Sequence, residues 1–307
     1  MSNILVKLVS WFDAYAWDTG QELENPDKID LLRLAPFFLM HVACLLVFVV
    51  GWSPAAVTVA LVSYLIRMFA ITGFYHRYFS HRAYKTSRIA QFIFGFIGTT
   101  AAQRGPLWWA SHHRHHHQTS DTPDDPHSPV IHGFLHSHCI WFLTDENSRT
   151  LNKKLGDWRK FPELVWLDRF HIVGPVAYAF AMLFFGKWLA ATFPSLGTTG
   201  WQVFVWGFVV STVFVYHGTY TINSLSHLYG YRTFDTPDHS RNNPFLAIIT
   251  LGEGWHNNHH HYAVSARQGF FPHEFDVTFY ILALLEKLGI ITNLRPVPAK
   301  ILRGNSS

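Results

Sequence analysis

Residues 111–118 read SHHRHHHQ, with five histidines in the six positions from His112 to His117. The run lies in the first half of a 307-residue chain and is followed by TPDDPHSP at 122–129, so it is no terminal purification tag. Two further histidine-dense stretches accompany it, HRYFSH (His76 to His81) and HNNHHH (His256 to His261). On a helix turning about 100° per residue, His113, His116 and His117 fall within about 60° of one direction, as do His256, His259 and His260. Each HxxHH set can therefore meet a metal from one helix face. The five-residue offset of His76 and His81 would place their rings about 140° apart on such a helix, a pair expected to grip from two directions and on two metals. Imidazole suits zinc, copper, iron and nickel. The three stretches supply eight convergent histidines, more than one mononuclear site takes, which argues for two metals.

Composition sets the surroundings of these histidines. The chain is 49% hydrophobic and 17% aromatic but only 14% charged, against about 25% charged in an average soluble domain. A membrane protein is the leading class. The two cysteines, Cys44 and Cys139, form no CxxC, so a disulfide framework, a zinc ribbon and a thiolate-held cluster are unsupported. Any metal must be held by histidine.

Four stretches are apolar enough to span a bilayer: 34–52, 55–75, 173–193 and 201–220. Each has close to the roughly 20 residues that a spanning helix needs. They pair as hairpins joined by SP at 53–54 and PSLGTTG at 194–200, turns without Lys or Arg. The positive-inside bias then places both termini and the long middle segment in the cytoplasm, with all the histidine stretches on one side. Arg67 inside the second span either snorkels or faces the bundle. The short apolar run 89–102 contains Gly95, Gly98 and two threonines at 99–100, and reads as an interfacial or re-entrant helix. The amino terminus shows no cleavable signal peptide, and no solenoid repeat is visible.

With these motifs assembled, HRYFSH, WWASHHRHHHQ, DPHSP followed by Ser137-His138, NSLSHLYGYR (223–232) and GEGWHNNHHHY (252–262), the chain resembles the membrane-bound acyl-CoA desaturases of the stearoyl-CoA delta-9 type and their bacterial relatives. The resemblance covers roughly residues 30–295. It implies a single desaturase domain over 1–307: an all-α integral membrane protein in which four transmembrane helices carry a cytosolic helical cap, from 76–172 and 221–307, holding a histidine-ligated di-iron centre. The implied ligands are His76, His81, His113, His116, His117, His227, His256, His259 and His260, with Asn223 holding a metal-bound water. The chain departs from the family pattern at His112, His115 and His261. His112, His115 and His116 also spell HxxHH, a competing register, although the distance back to Trp109 and the adjacent Arg114 favours His113, His116 and His117.

The resemblance also implies the chemistry: a cis double bond, delta-9 by analogy, inserted into a long-chain fatty acyl-CoA with O2 as co-substrate. Methylene C–H bonds are too weakly acidic for a side-chain base, and zinc has no redox chemistry, so two iron ions (Fe2+/Fe3+) are the expected cofactor. By resemblance Gln103, Trp109 and Thr219 line the bend of an acyl tunnel; Ala60 and Tyr64, one turn apart on the second span, are candidates for its closed end. Arg104 and Arg114, with Lys153, Lys154, Arg159 and Lys160, are candidates for CoA phosphates. The net charge of +4 and pI near 9.0 would equally favour an acidic electron carrier or anionic lipid. No flavin, nicotinamide or haem fingerprint occurs, so electrons are expected from a separate carrier, a ferredoxin, rubredoxin or haem protein with its NAD(P)H reductase. Membrane lipids are expected partners and nucleic acid is not. The expected location is a bacterial inner membrane with the active site cytoplasmic. Nearby alternatives keep the metals and change the reaction or carrier: an acyl-lipid desaturase or a membrane di-iron hydroxylase. A metal transporter is disfavoured because the histidines flank the spans and lie outside them.

Overall fold

The computed structural model describes residues 3–16 and 28–303. Four helices are long and apolar enough to cross a membrane: Leu31–Val50, Pro54–Ser80, Val173–Thr192 and Gly200–Leu228. The two polar turns start the helices that follow them. Ser53 accepts from the Ala56 amide at 3.1 Å ahead of Pro54, and Thr199 accepts from the Gln202 amide at 3.1 Å, satisfying amides that a helix start leaves orphaned.

The second and fourth spans run past their expected ends at 75 and 220, reaching 27 and 29 residues. At 1.5 Å per residue each is roughly 40 Å long, about 10 Å more than a hydrocarbon core. The surplus is what carries His76 and His227 clear of the apolar layer. No break therefore separates spans from the histidine-bearing layer at 76 or 221.

Small residues set the packing of the bundle, as membrane helix interfaces require. A Cβ on Gly186 would lie 2.5 Å from the Val203 side chain, and one on Gly218 would lie 2.6 Å from Met68 and 2.9 Å from the Tyr64 hydroxyl. The first span is the loosest: none of its most apolar window is buried. It leans on the fourth span through Phe37 stacked on Tyr216 and through His41 Nε2 against His217 Nε2 at 3.1 Å. Arg67 turns into the bundle and is fully buried. Its guanidinium donates to Thr212 Oγ1 at 2.6 Å, to Ser211 Oγ and to the Thr100 carbonyl at 3.3 Å, beneath the Tyr178 ring. Two hydroxyls and the carbonyls of Ser63 and Thr100 thus satisfy a buried cation that has no carboxylate partner among the described residues.

The 89–102 run forms a helix, Arg88–Thr99, of 12 residues, about 18 Å and too short to span. It packs against the extended end of the second span and the start of the third. A Cβ on Gly98 would fall 2.0 Å from the Tyr75 ring, and one on Gly174 would fall 1.9 Å from Thr99 Oγ1. All histidine stretches consequently lie at one end of the four spans. Replacing Gly98 with Ala is expected to force Tyr75 off its rotamer and lower stability by about 1–3 kcal/mol, read as a lower unfolding temperature in detergent; an unchanged midpoint would contradict this contact.

Candidate metal centre

Four separate elements deliver imidazoles to one place. The second span ends in a π-helical stretch, Ala70–Ser80, buried along its whole length. The His81 amide donates to the His76 carbonyl at 3.2 Å, an i→i+5 bond that brings the two rings together edge to face instead of spreading them. Their Nε2 atoms lie 3.2 Å apart. The expectation of 140° and two metals is thereby overturned: it assumed α-helical turning, and the π register puts both rings in one group.

The helix Pro106–Thr119 presents His113, His116 and His117, and the short helix His256–His261 presents His256, His259 and His260. His227 comes from the last turn of the fourth span, four residues after Asn223. Together the nine form two groups with nitrogens mutually within 4.8 Å: His76, His81, His113, His117 and His259 in one, and His116, His227, His256 and His260 in the other. In the first, consecutive Nε2 atoms close a five-membered ring through contacts of 3.2, 2.7, 3.0, 2.9 and 3.0 Å. Each Nε2 bears either a proton or a lone pair, so five in a ring cannot alternate donor and acceptor. A cation at the centre satisfies all five. The second group repeats the pattern, with His227 and His256 at 3.1 Å and His116 and His260 at 3.4 Å.

The competing register drops out on geometry. His112 Nε2 donates to the Arg149 carbonyl at 2.9 Å, and neither it nor His115 enters either group. His261 stacks on Phe234.

A layer of carboxylates stands behind the imidazoles, and the sequence reading had missed it. His116 Nδ1 donates to Asp125 at 3.0 Å, His227 Nδ1 to Asp121 at 2.9 Å, His260 Nδ1 to Asp238 at 2.7 Å and His76 Nδ1 to Glu253 at 2.5 Å. Holding the proton on Nδ1 leaves Nε2 bare for a metal. Burial opposes ionisation of all four acids, and the imidazoles they face outweigh it, with Arg77 helping at Glu253, so each is held below the usual carboxylate range. Asp125 also faces His127 at 3.5 Å, extending this layer. The only signal in sequence was position: Asp121 and Asp125 closely follow the histidine run.

A cavity of about 510 Å³ reaches the centre. Gln103, Arg104, Trp109, His113, Thr219 and Asn223 are among its lining, together with residues of the first, third and fourth spans and of the segments 10–12, 141–143 and 171–172. Gln103 donates to Thr219 Oγ1 at 2.9 Å, and Trp109 stacks on His113. A second space of about 40 Å³ lies among Asn223, Thr219, His76, His113, His116 and His256, room for one or two waters.

Three expectations on substrate residues change. Tyr64 lies off the large cavity and donates to the Ile249 carbonyl at 2.5 Å; Val176, Ala179, Phe208 and Tyr216 wall the membrane end instead. Arg114 is no free phosphate ligand, because all five of its N–H donors are taken, by Asp157 twice and by the Phe79, Ser80 and Lys154 carbonyls. Arg104 lies inside the cavity, against Trp108 and donating to the Ser148 carbonyl at 3.1 Å. Burial, with Arg33 nearby, pulls its guanidinium down to about 9.

Comparison with known proteins agrees with this constellation. Residues 31–284 match the fatty acid desaturase family. An acyl-CoA 5-desaturase of Anemone leveillei is 37% identical over 85% of this chain and 78% of its own length. The sn-1 stearoyl-lipid 9-desaturase of Anabaena variabilis is 36% identical over 84% and 92%, and the delta-9 acyl-lipid desaturase 1 of Arabidopsis thaliana is 33% identical over 87% and 84%.

Because inward-facing bare nitrogens repel one another, metal removal is expected to destabilise the fold. A metal held at a hundredfold above its dissociation constant contributes about 2.7 kcal/mol. Chelation should lower the unfolding temperature by several degrees and added Fe(II) should restore it; an unchanged transition would mean that these nitrogens hold no metal.

Proposed function

The chain belongs to the fatty acid desaturase family, and on that premise we propose that it converts two adjacent methylenes of a long-chain saturated acyl group into a cis double bond at delta-9. One O2, two electrons and two protons are consumed with the two substrate hydrogens, and two waters leave. The observation that carries the reading is an apolar cavity that reaches His113 of the five-histidine group beside Trp109 and Asn223, next to the small space that His76, His113, His116 and His256 of both groups line.

The nine histidines would hold two irons, with Asn223 beside the small water-sized space. Imidazole donors suit iron, and when bound the irons supply the redox power for O2 reduction that no side chain here provides. The chain's own residues bind, orient and shield. A uniform acyl chain offers no polar handle, so its position is read by shape. Gln103, Thr219 and Trp109 form the wall facing the metals, and their hydrogen bond and ring stacking fix which carbons pass that point. His127 and His171, also on the cavity, are pulled down to about 3 by burial, leaving neutral rings against the chain. Reducing equivalents come from a separate carrier. The Lys and Arg bias supports an orientation with the metal side cytoplasmic, in a bacterial inner membrane on this reading.

Coenzyme A is the acyl carrier that the motif pattern favours. A second carrier, a membrane glycerolipid, is favoured by the mouth of the cavity. Leu39 of the first span and Val176 of the third both line the cavity and are 59% and 46% exposed, so the opening lies on faces that lipid would cover.

Expression in a bacterial host without its own oxygen-dependent desaturase, together with an electron carrier, is expected to yield a new cis monoene among the fatty-acid methyl esters. His256→Ala should abolish it. Iron-loaded, membrane-inserted protein that yields no monoene would contradict the proposal. Isotope-labelled acyl-CoA against labelled phosphatidylcholine in nanodiscs then separates the carriers by which label appears in the monoene.

A further inference from the structure

We infer that the two metal positions are unequal: the four-histidine group binds its metal more tightly and fills first, because Asp121, Asp125 and Asp238 act on it as positioning residues. This rests on the di-metal reading above.

An imidazole whose Nδ1–H is given to a carboxylate is a stronger and better-oriented donor at Nε2. In the four-histidine group three of the four rings are held this way, at 2.7–3.0 Å. Only His256 lacks such a partner, its Nδ1 being buried without a hydrogen bond. Among the described residues no arginine or lysine pairs with Asp121, Asp125 or Asp238. Their other contacts are hydroxyls, backbone amides and imidazoles: the Ser128 hydroxyl and the His239 amide and ring at Asp121, the Asp121 amide and His127 at Asp125, and Thr236 and Ser240 at Asp238. Their negative charge stays directed at the rings.

The five-histidine group differs. Only His76 is backed by a carboxylate, and Glu253 shares its charge with Arg77, whose guanidinium lies 3.1 Å away and also binds Asp276. His259 Nδ1 faces the neutral Gln268 amide at 3.4 Å. Three of the five, His81, His113 and His117, are partly exposed, whereas in the four-histidine group only His260 is. A fifth nitrogen favours the five-histidine group. Three carboxylates with no arginine or lysine partner among the described residues, against one that meets the Arg77 guanidinium, together with poorer access for a competing chelator, outweigh it.

The experiment loads metal-free, full-length protein in detergent with 57Fe(II) below one equivalent per chain and records Mössbauer spectra as iron is added. One quadrupole doublet is expected during the first equivalent and a second distinct doublet thereafter. Asp121→Asn with Asp238→Asn keeps hydrogen-bond acceptors and removes the charges. It is expected to weaken the first-filling site about 10–100-fold, so that both doublets grow together, while Glu253→Gln leaves the first doublet unchanged. Two doublets growing in parallel in the wild type, or a first doublet lost in Glu253→Gln and kept in the aspartate variant, overturns the assignment. If the double aspartate variant fails to fold, His81→Ala decides: the first doublet is expected to persist, and its loss overturns the inference. Wild-type protein that saturates at one iron would instead overturn the di-metal reading itself.

Discussion

Nine imidazole nitrogens turned toward one another form the constraint on which the structure depends. Bare lone pairs at about 3 Å repel, and protons cannot satisfy an odd ring of them. Cations relieve that repulsion, and the rings are held from behind. Asp121, Asp125, Asp238 and Glu253 provide that hold for four rings. Arg77, fully buried and paired with both Glu253 and Asp276, anchors the fourth. The carboxylates sit on segments that have no regular structure of their own, so the centre also organises the chain around it.

The membrane helices are shaped to the same end. Two of them are longer than a bilayer requires, and their surplus turns carry His76 and His227 to the level of the helices bearing the HxxHH sets. One of those extensions is wound as a π stretch, a rare geometry in soluble and membrane proteins alike. It persists here because every residue of it is buried and because that register brings His76 and His81 into one group. The cavity follows from the same placement: it runs between spans that must diverge near the centre, and it ends against the face of Trp109 and His113. An apolar substrate, a membrane bundle and a metal centre at one end of that bundle are one physical solution.

Much of this was legible in the sequence, and what was not has identifiable reasons. The two HxxHH sets converge because α-helical periodicity puts i, i+3 and i+4 on one face, and the helices at 113–117 and 256–260 obey it. His227 was legible only through the NxxxH motif of the family. His76 and His81 were misread because spacing does not reveal whether a helix is α or π, and the hydrogen bond from His81 to His76 decides it. Span ends were placed short at 75 and 220 because hydropathy falls at the first histidines while the backbone continues. The supporting acids were invisible because Asp238 and Glu253 meet their histidines only through tertiary structure. Arg114 looked like a phosphate ligand because charge is visible in sequence, whereas its five filled donors are not. Tyr64 was assigned to a tunnel by likeness of position, and close packing at Gly218 puts it elsewhere.

The central claim is that two redox-active metals sit side by side in all-histidine groups of five and four. Its most direct test is an anomalous difference map collected across the iron absorption edge from crystals of iron-loaded protein. Two peaks per chain are expected, one within His76, His81, His113, His117 and His259 and one within His116, His227, His256 and His260. A single peak, or iron located outside these groups, would contradict it.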